Sequence, residues 1–427
     1  MKNPLSAKTV VLGLQHTFVM FGSTVLVPMV TGLDIGVTLF AAGTGTLIFH
    51  VVTKFKVPVF LGSSFAFIPA LVVIGESEGL PYALGGIVAA GGLYIIVAII
   101  FMFVSIDVMH KIFPPHVTGP IIILIGIILA PVAIKNATDA YVGNIRGQIS
   151  ELGCWGIAFF TFAAGVFVKM AFPKWGLKFL SLLPVLFALL AGYTLAVLTG
   201  IVDFSAVAKA AWIGLPAFSS PKFSLSAISF TVPVAIVTMV EHFGDILAIG
   251  NVTGKDYLAD PRISRTLLGD GIATSVAAFI GGPANTTYSE NTGAVALTEA
   301  HDPAIMRIAA VFAILLSLVP KFSAIVGTIP APVIGGISIL LFGMISAIGI
   351  KNMVDARIDI HDPKILMTVA AMLVLGLGTG TISSLVDPRA PGAAISAGSF
   401  SFSGLGLAAI AGVFLNIVLN ISNFKNK

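Results

Sequence analysis

Apolar residues run along nearly the whole chain in long stretches that are broken by glycine, proline or charged residues. A helix needs about 20 apolar residues to cross the hydrocarbon core of a bilayer, and the stretches recur at about that length. The approximate centres of the predicted spans are residues 19, 44, 67, 93, 126, 162, 189, 239, 273, 292, 311, 341, 373 and 413. The pattern therefore predicts an all-α integral membrane protein with about fourteen transmembrane helices.

Two of these spans, the third of the first seven and the third of the last seven, are interrupted. The first reads VPVFLGSSFAFI over Val57 to Ile68, and the second reads GGPANTTYSENTG over Gly281 to Gly293. Such segments would leave backbone groups unsatisfied in lipid, so they must be buried in protein or line a cavity. Matched interruptions in two halves indicate an inverted repeat with a binding site at mid-membrane. For either segment alone, an ordinary loop between spans is the alternative.

The composition and the placement of charge agree with this interpretation. Hydrophobic residues make up 57% of the chain and charged residues 10%, and the mean hydropathy is +1.04. Lys and Arg accumulate in cytoplasmic loops. With the amino terminus inside, 17 of the 23 basic residues lie on the cytoplasmic side and 6 on the other side. Both termini are therefore predicted to be cytoplasmic, which requires an even number of spans.

Four of the 19 acidic residues lie within predicted spans, all in the second half of the chain: Glu241, Asp245, Asp270 and Glu290. A carboxylate at bilayer depth costs about 2.5 to 3.5 kcal/mol on insertion scales, so such residues usually face a cavity or a partner and serve a function. The four carboxylates predict a polar site between the helices.

Glu241 and Asp245 are one helical turn apart and share one face of the eighth span. Burial and mutual repulsion both oppose ionisation of the two together, so we expect one of them to hold a proton near neutral pH. A proton-coupling site requires this property. Sodium is the alternative coupling ion, because Asp245 and free carbonyl groups at a broken helix could form a cation site.

Glu290, Asp270 and His16 are further candidates. Glu290 begins a half-helix after NTTYS, where the helix dipole and free N–H groups favour negative charge and polar ligand atoms, although it could be only a capping residue. Asp270, in GDGIA, is equally compatible with a helix cap and a proton relay. His16 could support a carboxylate on a neighbouring helix or could simply pack. His50 and His242 rank below His16.

Several classes of function are disfavoured by what the sequence contains. The chain has no Walker motif, Arg-rich span, nucleophile elbow or zincin motif, so we expect neither an ATP-driven pump nor an enzyme, and no cofactor or metal. An anion transporter and a channel are the alternatives from other classes. Intramembrane acids without intramembrane Lys or Arg disfavour an anionic substrate, and the asymmetric placement of polar groups disfavours a channel.

The segments that carry the carboxylates resemble the nucleobase-ascorbate, or nucleobase:cation symporter, family. The resemblance rests on VEHFGD at 240–245 and NTTYSENTGAVALT at 285–298, and it extends to LQHTFVMFGSTVLVP, LGSSFAF, FPP and GDGIAT. The residues that match the family signature are Glu290, Asn291, Gly293 and Thr298. A glutamate in the leading position is similar to the bacterial uracil permeases of the family.

Two positions depart from that branch. Some uracil permeases have a histidine where this chain has Asp245, whereas purine-transporting relatives have an aspartate there. The signature commonly ends in Arg, Lys or Gly where this chain has Glu299. The first departure keeps a xanthine or purine:cation symporter open as the alternative function.

The resemblance implies an architecture of fourteen spans in a seven-plus-seven inverted repeat, with a short strand in both the third and the tenth span. The implied repeats are residues 1–200 and 227–427. The implied core domain comprises 9–105 and 228–320, and the implied gate domain comprises 117–200 and 331–424. It further implies a homodimer in the cytoplasmic (inner) membrane of a bacterium, with the lipid bilayer and a small nucleobase as partners and no nucleic acid.

The resemblance also implies roles for individual residues. Glu241 and Glu290 would bind the base through their side chains, and Phe65 and Ser289 would offer backbone N–H groups. The residues that would pack around the base are Ser23, Tyr288 and, from the gate, Phe342. Uracil alternates N–H donors with carbonyl acceptors, so carboxylates and backbone amides would suit it.

The predicted function is a secondary active transporter that imports uracil with a proton. The predicted proton-coupling residues are Glu241, Asp245, Glu290, His16 and Asp270. Protonation of the carboxylates and binding of the base would support each other, and movement of the core against the gate would expose the site to each side in turn.

Overall fold

The computed structural model describes residues 6–104, 108, 111–138, 149–386, 394–397 and 400–420. The elements of the first half are, in chain order, α1 (Ala7–Thr31), α2 (Ile35–Val52), β1 (Leu61–Ser63), α3 (Ile68–Ser77), α4 (Leu80–Phe101), α5 (Pro115–Thr138), α6 (Glu151–Ala171), α7 (Pro184–Leu198) and the short α8 (Ser205–Lys209). A 3-10 turn at Phe65–Phe67 leads directly into α3.

The second half begins with the longest described helix. Its elements are α9 (Leu225–Thr253), α10 (Ile263–Phe279), β2 (Asn285–Thr287), α11 (Ser289–Thr298), α12 (Pro303–Ser317), α13 (Pro320–Gly327), α14 (Ala331–Asp355), α15 (Pro363–Val386), β3 (Ala394–Ala397), β4 (Phe400–Ser403) and α16 (Gly404–Leu419).

The helices confirm the prediction of an all-α membrane protein. Among the described residues, 7 helices are long and apolar enough to cross a membrane, or 8 if α12 and α13, bent by 83°, form one span. All the predicted span centres lie within helices, except that residue 67 ends the 3-10 turn before α3. Several of the remaining helices are shorter than 18 residues, so the count of fourteen stays a prediction.

The two interrupted segments pair with each other as a short antiparallel ladder. Leu61 lies opposite Thr287, and Ser63 lies opposite Asn285. The ladder is extended at its two ends, because Ser64 N donates to Ala284 O at 2.9 Å and Tyr288 N donates to Phe60 O at 3.0 Å. Both strands are buried. Each segment therefore satisfies the backbone groups that the other leaves open, as mid-membrane strands require.

Local sequence explains where α1 begins and ends and where α2 begins. Ser6 accepts a hydrogen bond from Thr9 N and caps the start of α1, and Gly32, at φ 78°, ends that helix in the left-handed region. Asp34 then caps α2 by accepting from Val37 N at 2.7 Å. These caps join α1 to α2 through a tight connection.

The helices form two groups of extensive contacts. In one group, α4 packs against α10, and α12 packs against both α1 and α2. In the other group, α14 packs against both α5 and α6, and α15 packs against α16. Glycines permit the closest crossings. A Cβ on Gly91 of α4 would lie 2.8 Å from Gly271 O of α10, and one on Gly126 of α5 would lie 2.3 Å from Phe342 O of α14. Small residues at such crossings let membrane helices approach closely. The division into core and gate domains stays a prediction.

Candidate functional site

The ladder is fixed in place by the side chain of Tyr288, which follows β2. The Tyr288 hydroxyl donates to Ser63 O at 3.1 Å and accepts from Thr24 Oγ1 of α1 at 3.3 Å. A Cβ on Gly62 would lie 2.3 Å from the tyrosine ring. Only glycine at this position lets the ring lie against β1, so the ladder, α1 and Tyr288 form one packed unit.

Asn285, the first residue of β2, ties the ladder to two further helices. Its side-chain amide donates to Ala41 O of α2 at 3.2 Å, and its backbone carbonyl accepts from Thr274 Oγ1 of α10 at 3.0 Å. A Cβ on Gly45 of α2 would collide with the Asn285 amide. Sequence reasoning did not identify Asn285, although its place in a buried NTTYS segment is a usable signal.

Asp245 anchors α9 to the second interrupted segment. Its two carboxylate oxygens accept hydrogen bonds from Thr287 Oγ1 at 2.8 Å and from Ser289 Oγ at 2.6 Å. The two hydroxyl groups flank Tyr288 in the chain, and the aspartate is 8% exposed. Each oxygen of this buried carboxylate thus has a donor, as a buried acceptor requires.

Glu290 lies in the first turn of α11, and its side chain connects that helix to α1. Ser23 Oγ donates to Glu290 Oε1 at 2.8 Å. The free N–H groups at the start of α11 favour a negative charge at this position. Ser289 is the first residue of α11, and Phe65 is the first residue of the 3-10 turn before α3. Both predicted backbone donors therefore lie at helix starts, where N–H groups lack intrahelical partners.

Glu241 differs from Asp245 and Glu290. It is partly exposed, and no described residue makes a hydrogen bond to its carboxylate. The carboxylates of Asp245, Asp270 and Glu290 lie close enough to act on it electrostatically. A Cβ on Gly244, one turn further along α9, would meet no atom within 4 Å. The carboxylate of Glu241 therefore has no described donor, and the helix face that carries it borders open space.

Two aromatic residues close the site on the side of α14. The rings of Phe65 and Phe342 meet edge to face, with centroids 6.1 Å apart and planes at 75°. Phe342 is buried, and Phe65 is half-buried. The structure thus brings Phe342, the predicted base-packing residue of α14, against the part of the first interrupted segment that follows β1.

His16 of α1 meets an amide and no carboxylate among the described side chains. Asn291 Nδ2 lies 3.1 Å from His16 Nδ1 and 3.2 Å from His16 O. With the amide assigned in this orientation, Nδ1 accepts the hydrogen bond and the ring proton of neutral His16 lies on Nε2. Because Asn291 follows Glu290, His16 supports the start of α11 indirectly.

Asp270 lies in the middle of α10, which begins at Ile263, so the interpretation of Asp270 as a helix cap is wrong. Its Oδ2 is 3.3 Å from Nδ1 of His242, and both side chains are fully buried. The sequence placed His242 low among the candidates. Its position directly after Glu241 is a signal, but a single sequence does not tell which helix it faces.

A separate cavity of about 510 Å³ lies between the α1–α2 connection, residues 215–217 and the bend between α12 and α13. It is lined by none of the predicted site residues. The predicted site residues Ser23, Asp245, Tyr288, Ser289 and Glu290 instead lie together around the ladder, where separate hydrogen bonds hold them in place.

Comparison with known proteins gives a consistent result. The family model Xan_ur_permease, described as a permease family, matches residues 7–385. The chain is 39% identical to a probable uracil permease of Pasteurella multocida, over 97% of this chain and 94% of that protein. It is 36% identical to a uracil permease of Bacillus subtilis, over 97% of this chain and 93% of that protein.

Two solved structures have a similar fold. One is the transmembrane domain of the cyanobacterial bicarbonate transporter BicA, with a TM-score of 0.60, 14% identity and coverage of 87% of this chain and 97% of that one. The other is the murine anion transporter Slc26a9 in an inward-facing state, with a TM-score of 0.68, 12% identity and coverage of 99% and 69%. At these identities the likeness concerns the fold alone.

Proposed function

The chain belongs to the Xan_ur_permease family, and from this premise we propose that it imports uracil across the cytoplasmic membrane together with a proton. It is a multi-pass membrane transporter and not an enzyme. The proposal of uracil as the substrate draws on curated relatives named uracil permeases, which are 35 to 39% identical over nearly the whole chain. The observation that most directly supports the proposed binding site is that no described residue donates a hydrogen bond to the carboxylate of Glu241.

The base lies between the ladder and α14 in this proposal. Glu241 accepts an N–H of uracil, since no described side chain donates to it, and Glu290 accepts a second N–H with its position held by Ser23. The backbone N–H groups of Phe65 and Ser289 donate to the carbonyl oxygens. Phe342 and Tyr288 supply the apolar surface that a planar ring requires.

The coupling proton resides on Glu241 in this proposal. Asp245 has a hydroxyl donor on each oxygen, which suits the ionised form, and Glu290 has one such donor. Glu241 has none and lies among three other carboxylates. Of Glu241, Asp245 and Glu290, Glu241 is therefore the one whose ionised form no described donor stabilises. A protonated Glu241 offers its carbonyl oxygen to an N–H of uracil and donates its O–H to the adjacent carbonyl oxygen of the base. Loss of that proton on the cytoplasmic side removes the O–H donor and places a negative charge against the carbonyl oxygen, so the hold on the base weakens and the two movements are coupled. His16 supports this arrangement through Asn291.

Rocking of the proposed core domain against the gate domain moves the site between the two membrane faces. Exposed positions follow one face of α9 at 244 and 248, of α11 at 293 and 297, and of α14 at 343 and 347. Each row runs from the site toward the carboxyl end of its helix, which the distribution of basic residues assigns to the cytoplasm. This arrangement supports a site that is open to the cytoplasm. We further propose a homodimer in a bacterial inner membrane with both termini cytoplasmic.

The test uses the purified protein in liposomes. Uptake of labelled uracil is measured with and without an inward proton gradient, in the absence of sodium, with a protonophore added as the control. We expect accumulation that requires the gradient and collapses with the protonophore. Uptake that requires sodium and ignores the proton gradient would overturn the choice of ion.

Xanthine is the second substrate to test, because Asp245 occupies a position where purine-transporting relatives have an aspartate. Unlabelled xanthine is added in excess to the same liposomes. We expect it to leave uracil uptake nearly unchanged. Competition equal to that of unlabelled uracil would make a nucleobase transporter of broader specificity the better description.

A further inference from the structure

His242, which follows Glu241 in α9, and Asp270 of α10 form a buried titratable pair that has no part in the proposed binding of the base. His242 Nδ1 and Asp270 Oδ2 are 3.3 Å apart, and both side chains are 0% exposed. Among the described residues, neither ring nitrogen of His242 and neither carboxylate oxygen of Asp270 makes a hydrogen bond, so each group has the other as its nearest partner of opposite charge. The two side chains therefore depend on each other.

Complete burial constrains the charge that this pair carries. A lone carboxylate or a lone imidazolium in such a place is costly and either finds a partner of opposite charge or becomes neutral by proton transfer. With one proton between them, the two groups form either an imidazolium with a carboxylate or two neutral groups. The pair as a whole is then neutral, whereas an ionised Asp270 without a charged His242 would leave one net negative charge.

The charge of the pair bears on the site because the site lies next to it. The titratable groups around the pair and the adjacent site are His50 of α2, Tyr94 of α4, Glu241 and Asp245 of α9 and, on the far side of Glu241 and Asp245, Glu290 of α11. His50 bonds to Val59 O at 3.0 Å, and the ring of Phe49 lies edge to face with the rings of both His50 and His242. Three of the five are acidic, so a negative Asp270 would be a fourth charge of the same sign beside them.

We propose that His242 is the counter-ion that prevents Asp270 from adding this fourth negative charge, and that it thereby sets the pH range over which Glu241 exchanges its proton. His242 acts through Asp270 on Glu241 and does not contact the base. The inference rests on the proposed function, since it concerns the proton that accompanies uracil.

Uracil binding to the purified, detergent-solubilised variants, measured across pH, tests the proposal. In His242→Gln the glutamine amide can donate a hydrogen bond to Asp270 and so permit its ionised form, but it adds no positive charge. The repulsion from Asp270 then favours the protonated form of Glu241. We expect the midpoint of the pH profile to move to higher pH by about one unit. In the double variant His242→Gln/Asp270→Asn the two amides are neutral and can bond to each other, so the midpoint should return to the wild-type value.

His50→Gln is the matched control, because His50 is also buried but bonds to a backbone carbonyl; its midpoint should stay at the wild-type value. An unmoved midpoint in His242→Gln, or a double variant that keeps the shift, would overturn the proposal. If His242→Gln does not yield folded protein, Asp270→Asn alone is measured, and a shift to higher pH in that variant also overturns it. Failure of the wild type to bind uracil would instead reject the proposed function.

Discussion

The two interrupted segments have the same architecture but different chemistry. In each, a three-residue strand precedes the start of a short helix, and the strands pair with each other. The first segment, 57–68, offers aromatic and backbone groups and has no acidic residue. The second segment, 281–293, contributes Glu290 and the hydroxyl groups that hold Asp245.

The flanking helices show the same asymmetry. α1, which packs against the first segment, supplies the neutral donors Ser23 and Thr24, whereas α9 supplies Glu241 and Asp245. The two interrupted segments with their flanking helices thus have matching architectures, as the predicted inverted repeat requires, and the acidic groups lie in only one of them. We infer that the first half positions the site and the second half carries its charge.

Gly62→Ala should have the largest effect, because it disrupts the β1–β2 ladder that joins the two interrupted segments. The added Cβ would lie 2.3 Å from the Tyr288 ring, so either β1 or the tyrosine must shift. We expect loss of uracil uptake with normal insertion into the membrane. Gly92→Ala is the control, because a Cβ there meets nothing within 4 Å. Equal uptake by the two variants would show that the ladder tolerates the displacement.

Thr287→Val tests the charged half. The change removes one of the two donors to Asp245, and a hydrogen bond to a charged group contributes about 1.5 to 3 kcal/mol, so uracil affinity should fall by about tenfold or more. Thr286→Val is a matched control on the opposite face of the same strand, because the Thr286 hydroxyl has no partner among the described residues. Binding isotherms of both variants measure the difference, and equal losses would contradict the role of Asp245.

Ser23→Ala tests the contribution of the first half to the charged half. It removes the donor to Glu290 from a site that retains other polar contacts to the base, so we expect a loss of affinity of about five- to tenfold. Ser64→Ala, which deletes a buried hydroxyl without a described partner, should bind uracil as the wild type does. A stronger effect at Ser64 would reverse the assignment.

Phe342→Leu should have the smallest effect of the four. It keeps an apolar side chain but removes the edge-to-face contact with Phe65, which is worth about 1 kcal/mol. We expect KM for uracil uptake to rise a few-fold with little change in the maximal rate. Phe414→Leu, at a position 62% exposed on α16, serves as the control and should leave KM unchanged.

Hydropathy and local chemistry were sufficient to predict the helices and the two interruptions. Long apolar runs located the helices, and the density of Gly, Pro, Ser and Asn located both interrupted segments. The structure confirms the fold class and places Ser23, Asp245, Tyr288, Ser289 and Glu290 together. The roles given to these residues stay predictions.

Contacts between distant segments could not be predicted from one sequence. The pairing of His242 with Asp270 depends on the rotation of α9 and α10 about their axes. The attachment of Asn285 to α2 depends on the absence of a side chain at Gly45. The bend of 83° between α12 and α13 was also not predicted. Each of these features is set by packing across more than one element.

The assignment of the coupling proton to Glu241 is tested most directly by proton movement upon addition of uracil. Wild-type and Glu241→Gln proteins are reconstituted in liposomes, uracil is added outside without a pre-formed gradient, and the external pH is recorded. We predict alkalinisation by the wild type and none by Glu241→Gln, because an amide cannot gain and lose a proton. Uracil-dependent alkalinisation by Glu241→Gln at the wild-type extent would contradict the assignment.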